Sequence, residues 1–272
     1  MTTVDQQDAL LRLGENHLFT RSWMPFAADA SRRTPILLLH DSLGSVELWR
    51  SFPEKLAVTT GRRVVAYDRL GFGRSDPHPG ALGLDFIADE AQSVVPQLCE
   101  QFGIGDFIAC GHSVGGCMAI ETAAHWPGRC RALVTIAAQT FIEERTLAGI
   151  RVAQHDFQDP DNLARLARYH GDKTPWVLDA WIGTWLSPAF ADWTLDGPLA
   201  GVRCPVLAVH GERDEYGSLR HPWRIAEGRG ETLILPGIGH VPHREAEGTL
   251  VAAIVEFLSL LLPSGEKVPA GG

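Results

Sequence analysis

The stretch Ala109–Met118, ACGHSVGGCM, sets Ser113 between glycines two residues before and two residues after it, with a third glycine following. The apolar run DFIAC (106–110) leads into it, and VGGCMAIETAAHW (114–126) continues with helical spacing. A strand that turns abruptly into a helix strains the turn residue and crowds it against neighbouring chain. Glycine is wanted on both flanks, where a Cβ would collide. Such a turn lifts the Ser113 hydroxyl to the carboxyl end of a sheet. It also leaves the Val114 N–H at a helix amino terminus, facing the place where an oxyanion would form. A glycine-rich turn without chemistry is the plainer reading, so the residues elsewhere in the chain must decide.

Outward from that turn, short apolar runs alternate with amphipathic stretches, which predicts an α/β fold with a mostly parallel sheet covered by helices. ALLRLG and HLFTRSWM read as opening strands, and PILLLH, RRVVAYD, DFIACG and RALVTIAA as buried ones. VELWRSFPEKLAVTT and LDFIADEAQSVVPQLCEQF read as helices between them. From 139 to 200 the alternation stops and three helical patterns follow one another. In the third, Leu178, Trp181, Ile182, Trp185 and Leu186 fall on one helix face. Strands resume with CPVLAVHG and ETLILPG, and EGTLVAAIVEFLSLL closes the pattern as a helix. The expected organisation is a core of residues 1–138 and 201–263, a helical cap over 139–200, and a disordered tail over 264–272.

Composition narrows the partners. Acidic residues outnumber basic ones 33 to 24, a net charge of −9, which repels nucleic acid and anionic membrane surfaces. A small molecule is the expected partner, and oligomeric state is left open. The five cysteines, Cys99, Cys110, Cys117, Cys130 and Cys204, form no C-x-x-C pair and suggest neither a disulfide framework nor a zinc site. No metal and no cofactor is expected. MTTVDQQDALL lacks the basic and apolar regions of a signal peptide, and the apolar run near LVAAIVEFLSLLLP is broken by Glu256. A cytoplasmic location is the expectation.

A serine hydroxyl needs a base, and the base needs an orienting carboxylate. Asp214 follows the strand PVLAVHG in the loop GERDEYG, and His240 follows ETLILPG in the loop GIGH. The order Ser113, Asp214, His240 is that of a nucleophile elbow with its partners. Glu212 and Glu215 are alternative acids, and His210, His221 and His243 alternative bases. A second oxyanion donor is expected from LLLHDSLGSVELW: the N–H of Ser42, with Leu43 as the alternative. His40 and Asp41 leave a strand side by side, so their side chains point opposite ways and a structural role is expected. DRLGFGRSD (68–76) has no P-loop lysine and reads as a tight connection. His112 and Cys117 read as packing residues.

Together HDSLGSVELW, YDRLGFGRSD, GHSVGG, GERD and GHVPH resemble the α/β-hydrolase superfamily over nearly all of residues 8–262. The resemblance implies an eight-stranded, mostly parallel sheet flanked by helices, with a helical cap inserted after strand 6. His40-Asp41 departs from the His-Gly of many members and is similar to the Asn-Ser-Leu-Gly loop of enol-lactone hydrolases. A serine nucleophile argues against dehalogenase and epoxide hydrolase chemistry, which uses aspartate.

The expected function is hydrolysis of a small, hydrophobic carboxylic ester or lactone through an acyl-enzyme on Ser113. Trp176, Trp181 and Trp185, with Trp193, are candidates for an apolar pocket wall. Arg145, Arg151, Arg165 and Arg168 are candidates to reach a substrate carboxylate. A C–C bond hydrolase of vinylogous diketones, a cofactor-free haloperoxidase or perhydrolase, and a ligand-binding receptor with vestigial hydrolysis are the alternatives.

Overall fold

Alternation of side chains along buried strands builds the centre of the molecule. The computed structural model describes residues 4–261; the expected tail, 264–272, lies outside the described residues. Eight strands form one sheet: β1 (Val4–Leu13), β2 (Asn16–Pro25), β3 (Ile36–Leu39), β4 (Val64–Tyr67), β5 (Phe107–His112), β6 (Cys130–Ile136), β7 (Val206–Gly211) and β8 (Gly230–Leu235). Their spatial order is β1-β2-β4-β3-β5-β6-β7-β8. β1 and β2 pair antiparallel, β2 joins β4 antiparallel, and the other pairings are parallel.

Both faces of the central strands β3, β4, β5 and β7 are buried, so their runs are largely apolar rather than alternating with polar residues, whereas the edge strand β8 is partly exposed. Leu37, Leu39, Val65, Tyr67, Ala109 and Leu133 face one core, with α3 (Val95–Gln101) and α4 (Val114–His125) packed on it. Ile36, Leu38, Val64, Ala66, Ile108 and Val134 face the other, covered by α1 (Phe52–Thr60) and α11 (Glu247–Leu261). The segment before α3 enters through α2 (Phe86–Asp89) and a π-helical turn at Glu90–Val94.

Between β6 and β7 the chain forms α5 (Glu144–Asp156), α6 (Pro160–His170), α7 (Thr174–Trp185) and α8 (Asp196–Gly201). α6 starts on Asp159, whose carboxylate accepts the Asp161 N–H, and stops at Gly171 with φ 58°. α7 is buried more widely than the single face expected. Val177, Ala180 and Thr184 are buried too, and only Pro175, Asp179 and Gly183 form an exposed stripe, because the helix lies between its neighbours and the core. The remaining short helices are α9 (Arg220–Ala226) and α10 (Pro242–Glu245).

The strand order places β3 beside β5, with β4 on the far side of β3. Connections therefore leave the carboxyl ends of β3 and β5 in opposite directions and open a crevice there, where ligands settle in open α/β sheets. Ser42 follows β3 and Ser113 follows β5. Among the described residues no helix is long and apolar enough to cross a membrane.

Candidate active site

Ser113 sits at the top of that crevice with φ 54° and ψ −125°, a backbone conformation that residues with a Cβ rarely adopt. Strain of this kind costs about 1–3 kcal/mol. The turn is fixed from several sides. Ser113 N–H donates to the Ile136 carbonyl at 2.8 Å, and its own carbonyl accepts from Gly116 N–H at 2.8 Å. A Cβ on Gly111 would strike the Gly115 carbonyl, and one on Gly115 would strike the Leu39 carbonyl. The glycines flanking the serine are thus imposed by backbone approaching backbone.

The loops after β7 and β8 deliver the two partners. His240 Nε2 lies 3.0 Å from Ser113 Oγ, and His240 Nδ1 lies 2.8 Å from Asp214 Oδ2. Asp214 Oδ1 accepts the N–H groups of Tyr216 and Gly217 at 2.7 and 3.0 Å. Its neighbour His210 places Nε2 3.2 Å from Oδ2 and donates to the Gly217 carbonyl at 3.1 Å. Burial by itself would raise the Asp214 pKa, but the charge and hydrogen bond of His240, His210 and the Tyr216 N–H prevail and lower it. For His240 burial pulls downward, and the charge and hydrogen bond of Asp214, helped by Glu215 and Asp41, reverse it to a net rise.

The other acids and histidines are engaged elsewhere. Glu212 accepts the Gly237 N–H, and Glu215 borders the cleft without a hydrogen bond to His240. His221 accepts the Thr140 N–H and faces Glu143 at 3.1 Å. His243 stacks edge-on against His112. The buried thiols of Cys110 and Cys117 are pushed up to about 12 by burial, which keeps them protonated at neutral pH.

The loop after β3 is more elaborate than its sequence suggests. Asp41 Oδ1 accepts the Leu43 N–H at 2.9 Å, which commits that donor and leaves the Ser42 N–H without an acceptor among the described residues. The Val114 N–H is likewise open. Ser42 and Val114 border the same small cavity of about 10 Å³ beside Trp181 and Trp185. Asp41 Oδ2 lies 3.2 Å from His112 Nδ1, and His112 Nε2–H donates to the His240 carbonyl at 2.7 Å. Burial would raise the Asp41 pKa, but the hydrogen bond and charge of His112, with the Leu43 N–H, hold it far below the ordinary carboxylate value. His112, read from the sequence as a packing residue, therefore bridges the Ser42 loop to the His240 loop. His40 turns the opposite way and accepts the Arg69 N–H at 3.1 Å.

These groups open onto a cleft of about 650 Å³ between the strand ends and the insert, within the usual range for small-molecule sites. Ile150, Phe157, Leu166, Trp181, Trp185 and Tyr216 supply its apolar wall. Trp176, expected there, does not line it. Its ring wedges against Gly71, stacks on His78 and donates Nε1–H to the Gly80 carbonyl at 2.7 Å. Trp193 stacks on Phe190 instead. Arg165 and Arg168 border the cleft, whereas Arg145 donates to the Asp214 carbonyl and Arg151 pairs with Glu144. Arg50, Tyr169 and Arg244 also border it. Nothing local in the sequence marks them, because they come from a turn and two helices far apart in the chain. No group of three His, Cys, Asp or Glu among the described residues is placed to hold a metal ion.

A family model described as alpha/beta hydrolase fold matches residues 34–175, which span the crevice loops, the serine turn and much of the insert. The chain belongs to the alpha/beta hydrolase fold family. Among curated proteins it is similar to 1-acylglycerol-3-phosphate O-acyltransferase ABHD5 of Homo sapiens, 32% identical over 130 residues, 46% of this chain and 35% of that protein. It is also similar to (lyso)-N-acylphosphatidylethanolamine lipase of Bos taurus, 30% identical over 122 residues, 45% of this chain and 34% of that one. The matched stretch thus spans about a third of the length of either relative. Among solved structures it shares its fold with 2-hydroxy-6-oxo-6-phenylhexa-2,4-dienoate hydrolase of Rhodococcus sp. strain RHA1. The TM-score is 0.74 at 18% identity, covering 93% of this chain and 99% of that one. As a member of this family, the protein has the framework of the alpha/beta hydrolase fold.

Proposed function

We propose that the protein is a serine hydrolase that cleaves a small, hydrophobic carboxylic ester or lactone through an acyl-enzyme on Ser113. The observation that carries this reading is the continuous chain Ser113 Oγ, His240 Nε2, His240 Nδ1, Asp214 Oδ2, with separations of 3.0 and 2.8 Å. In the first half-reaction His240 Nε2 takes the Ser113 proton as Oγ attacks the ester carbonyl. The open N–H groups of Val114 and Ser42 receive the oxyanion. His240 then returns the proton to the leaving alcohol. Water repeats the sequence on the acyl-enzyme and releases the acid.

Asp214 keeps His240 in the tautomer that presents Nε2 to the serine, and its charge stabilises the imidazolium formed during attack. The apolar wall around Trp181 and Trp185 accommodates the hydrophobic part of the substrate. The five buried free cysteines support a location in the reducing cytoplasm.

Turnover of p-nitrophenyl esters of graded acyl length by Ser113→Ala tests the assignment. A loss of roughly 10³–10⁶ in kcat is expected, and wild-type-like turnover by the variant would overturn it. Vinylogous diketones in the same panel separate ester from C–C bond cleavage.

A further inference from the structure

The cleft is bordered by four arginines and three carboxylates. Arg50, just after the Val46–Trp49 turn, and Arg244, in α10, border it together: burial lowers the Arg244 pKa, the charge of Asp41 opposes that, and Arg50 adds a smaller lowering. Arg165 and Arg168 reach the same cleft from α6, three residues apart on a helix and therefore on neighbouring surface. Asp41, Asp156 and Glu215 also border the cleft, and all three act on Tyr216. None of the four guanidinium groups joins an ion pair among the described residues. Arg244 donates to the Leu48 carbonyl at 2.9 Å, and the side chains of Arg50, Arg165 and Arg168 make no hydrogen bond there. Arginines therefore outnumber carboxylates four to three around the cleft, a local balance opposite in sign to the net charge of −9 of the chain.

Arg50 adds a second, independent observation. Its backbone, at φ 54° and ψ −124°, occupies nearly the same strained region as Ser113 at φ 54° and ψ −125°. Glycine would adopt this conformation without strain. At Ser113 the strain presents a nucleophile to the cleft. At Arg50 it holds an exposed, unpartnered guanidinium at the rim of the same cleft.

We propose that Arg50, Arg165, Arg168 and Arg244 form a subsite for an anionic group, carboxylate or phosphate, carried by the substrate away from the scissile bond. The proposal rests on the ester-hydrolase reading and narrows its substrate class to amphiphilic acidic esters. The apolar segment packs on Trp181 and Trp185, and the anion meets guanidinium forks suited to bidentate contact. Asp156 and Glu215 repel the same anion and so bias its orientation in the cleft.

Two matched pairs of esters test this and locate the charge. Mono-p-nitrophenyl glutarate against p-nitrophenyl valerate places it on the acyl half, and 4-(butyryloxy)benzenesulfonate against phenyl butyrate places it on the alcohol half. In at least one pair the charged ester is expected to have a kcat/KM about tenfold higher, the scale of one charge-assisted contact. The double variants Arg165→Gln/Arg168→Gln and Arg50→Gln/Arg244→Gln bring that ratio towards one, and added salt narrows it. Preference for the neutral ester in both pairs, or a ratio unmoved by the four substitutions, overturns the subsite. Should no ester be turned over, calorimetry with monobutyl glutarate and butyl valerate decides. Tighter, arginine-dependent binding of the charged compound keeps the subsite while ending the hydrolase reading, and equal or absent binding of the two ends the subsite as well.

Discussion

The serine turn and the helical insert face one another across the cleft, and they are held by different kinds of contact. At the turn the constraint is in the backbone: Gly111 and Gly115 allow carbonyls to approach where no Cβ could fit, and Ser113 is strained into place. In the insert the constraint is in side chains that reach across to loops. His170 accepts the Gly73 N–H at 2.9 Å and donates to the Leu43 carbonyl at 3.0 Å. Lys173 donates to the carbonyls of Phe72, Gly73 and Ser75, and Trp176 wedges against Gly71. A backbone constraint holds Ser113 more tightly than exchangeable side-chain contacts do, as the proposed chemistry requires. Side-chain contacts can be exchanged piecemeal, which suits the part of the site that meets the variable end of a substrate.

The contrast makes graded predictions. The largest effect after loss of the serine falls on Asp214→Asn, which preserves shape but removes the charge that orients His240. A drop of roughly 10³–10⁴ in kcat is expected. The pH profile reports the same contact. His240 must be neutral to act as a base and its pKa is raised, so wild-type activity falls away as pH drops through a value above the ordinary 6.5. In Asp214→Asn that acid limb should move to lower pH, and an unmoved limb would detach Asp214 from His240.

A smaller loss is expected when the Ser42 loop is loosened. Asp41→Ala removes the acceptor of the Leu43 N–H and the partner of His112, so the open Ser42 N–H loses its support. The expected cost is roughly 10- to 100-fold in kcat, with KM little changed. Asp41→Asn can still accept from Leu43 and offer its amide group to His112 Nδ1, and should recover most of the activity. If Asp41→Ala raises KM and leaves kcat intact, the loop acts in binding and not in oxyanion support.

The mildest pair separates the cleft wall from the stitching of the insert. Trp181→Ala should raise KM for long-chain esters by about tenfold, the scale of losing a large apolar contact. Trp176→Ala should instead lower unfolding stability by about 2–3 kcal/mol, with the kinetics of a short neutral ester unchanged. Were Trp176→Ala to alter KM in the manner of Trp181→Ala, the two tryptophans would not differ as described.

The same contrast explains what could be read from the chain itself. Strands, their alternation and the strandless stretch between β6 and β7 follow from apolar spacing, which is local. The positions of Ser113, Asp214 and His240 at strand ends follow from the turn residues after each strand. The tryptophans of the insert could not be sorted this way, because Trp176 and Trp181 share a helix and a residue type and differ only in which loop lies opposite. Arg50 and Arg244 are nearly 200 positions apart and meet only through the fold. His112 carried no local sign of its bridge, since Asp41 and the His240 carbonyl come from other loops.

The most direct measurement is the mass of the adduct formed with a fluorophosphonate, mapped by peptide digestion. The account predicts one phosphonyl group on the peptide containing Ser113, absent in Ser113→Ala and formed far more slowly in His240→Ala. An adduct on another residue, or unlabelled Ser113 in protein that still hydrolyses esters, would contradict it.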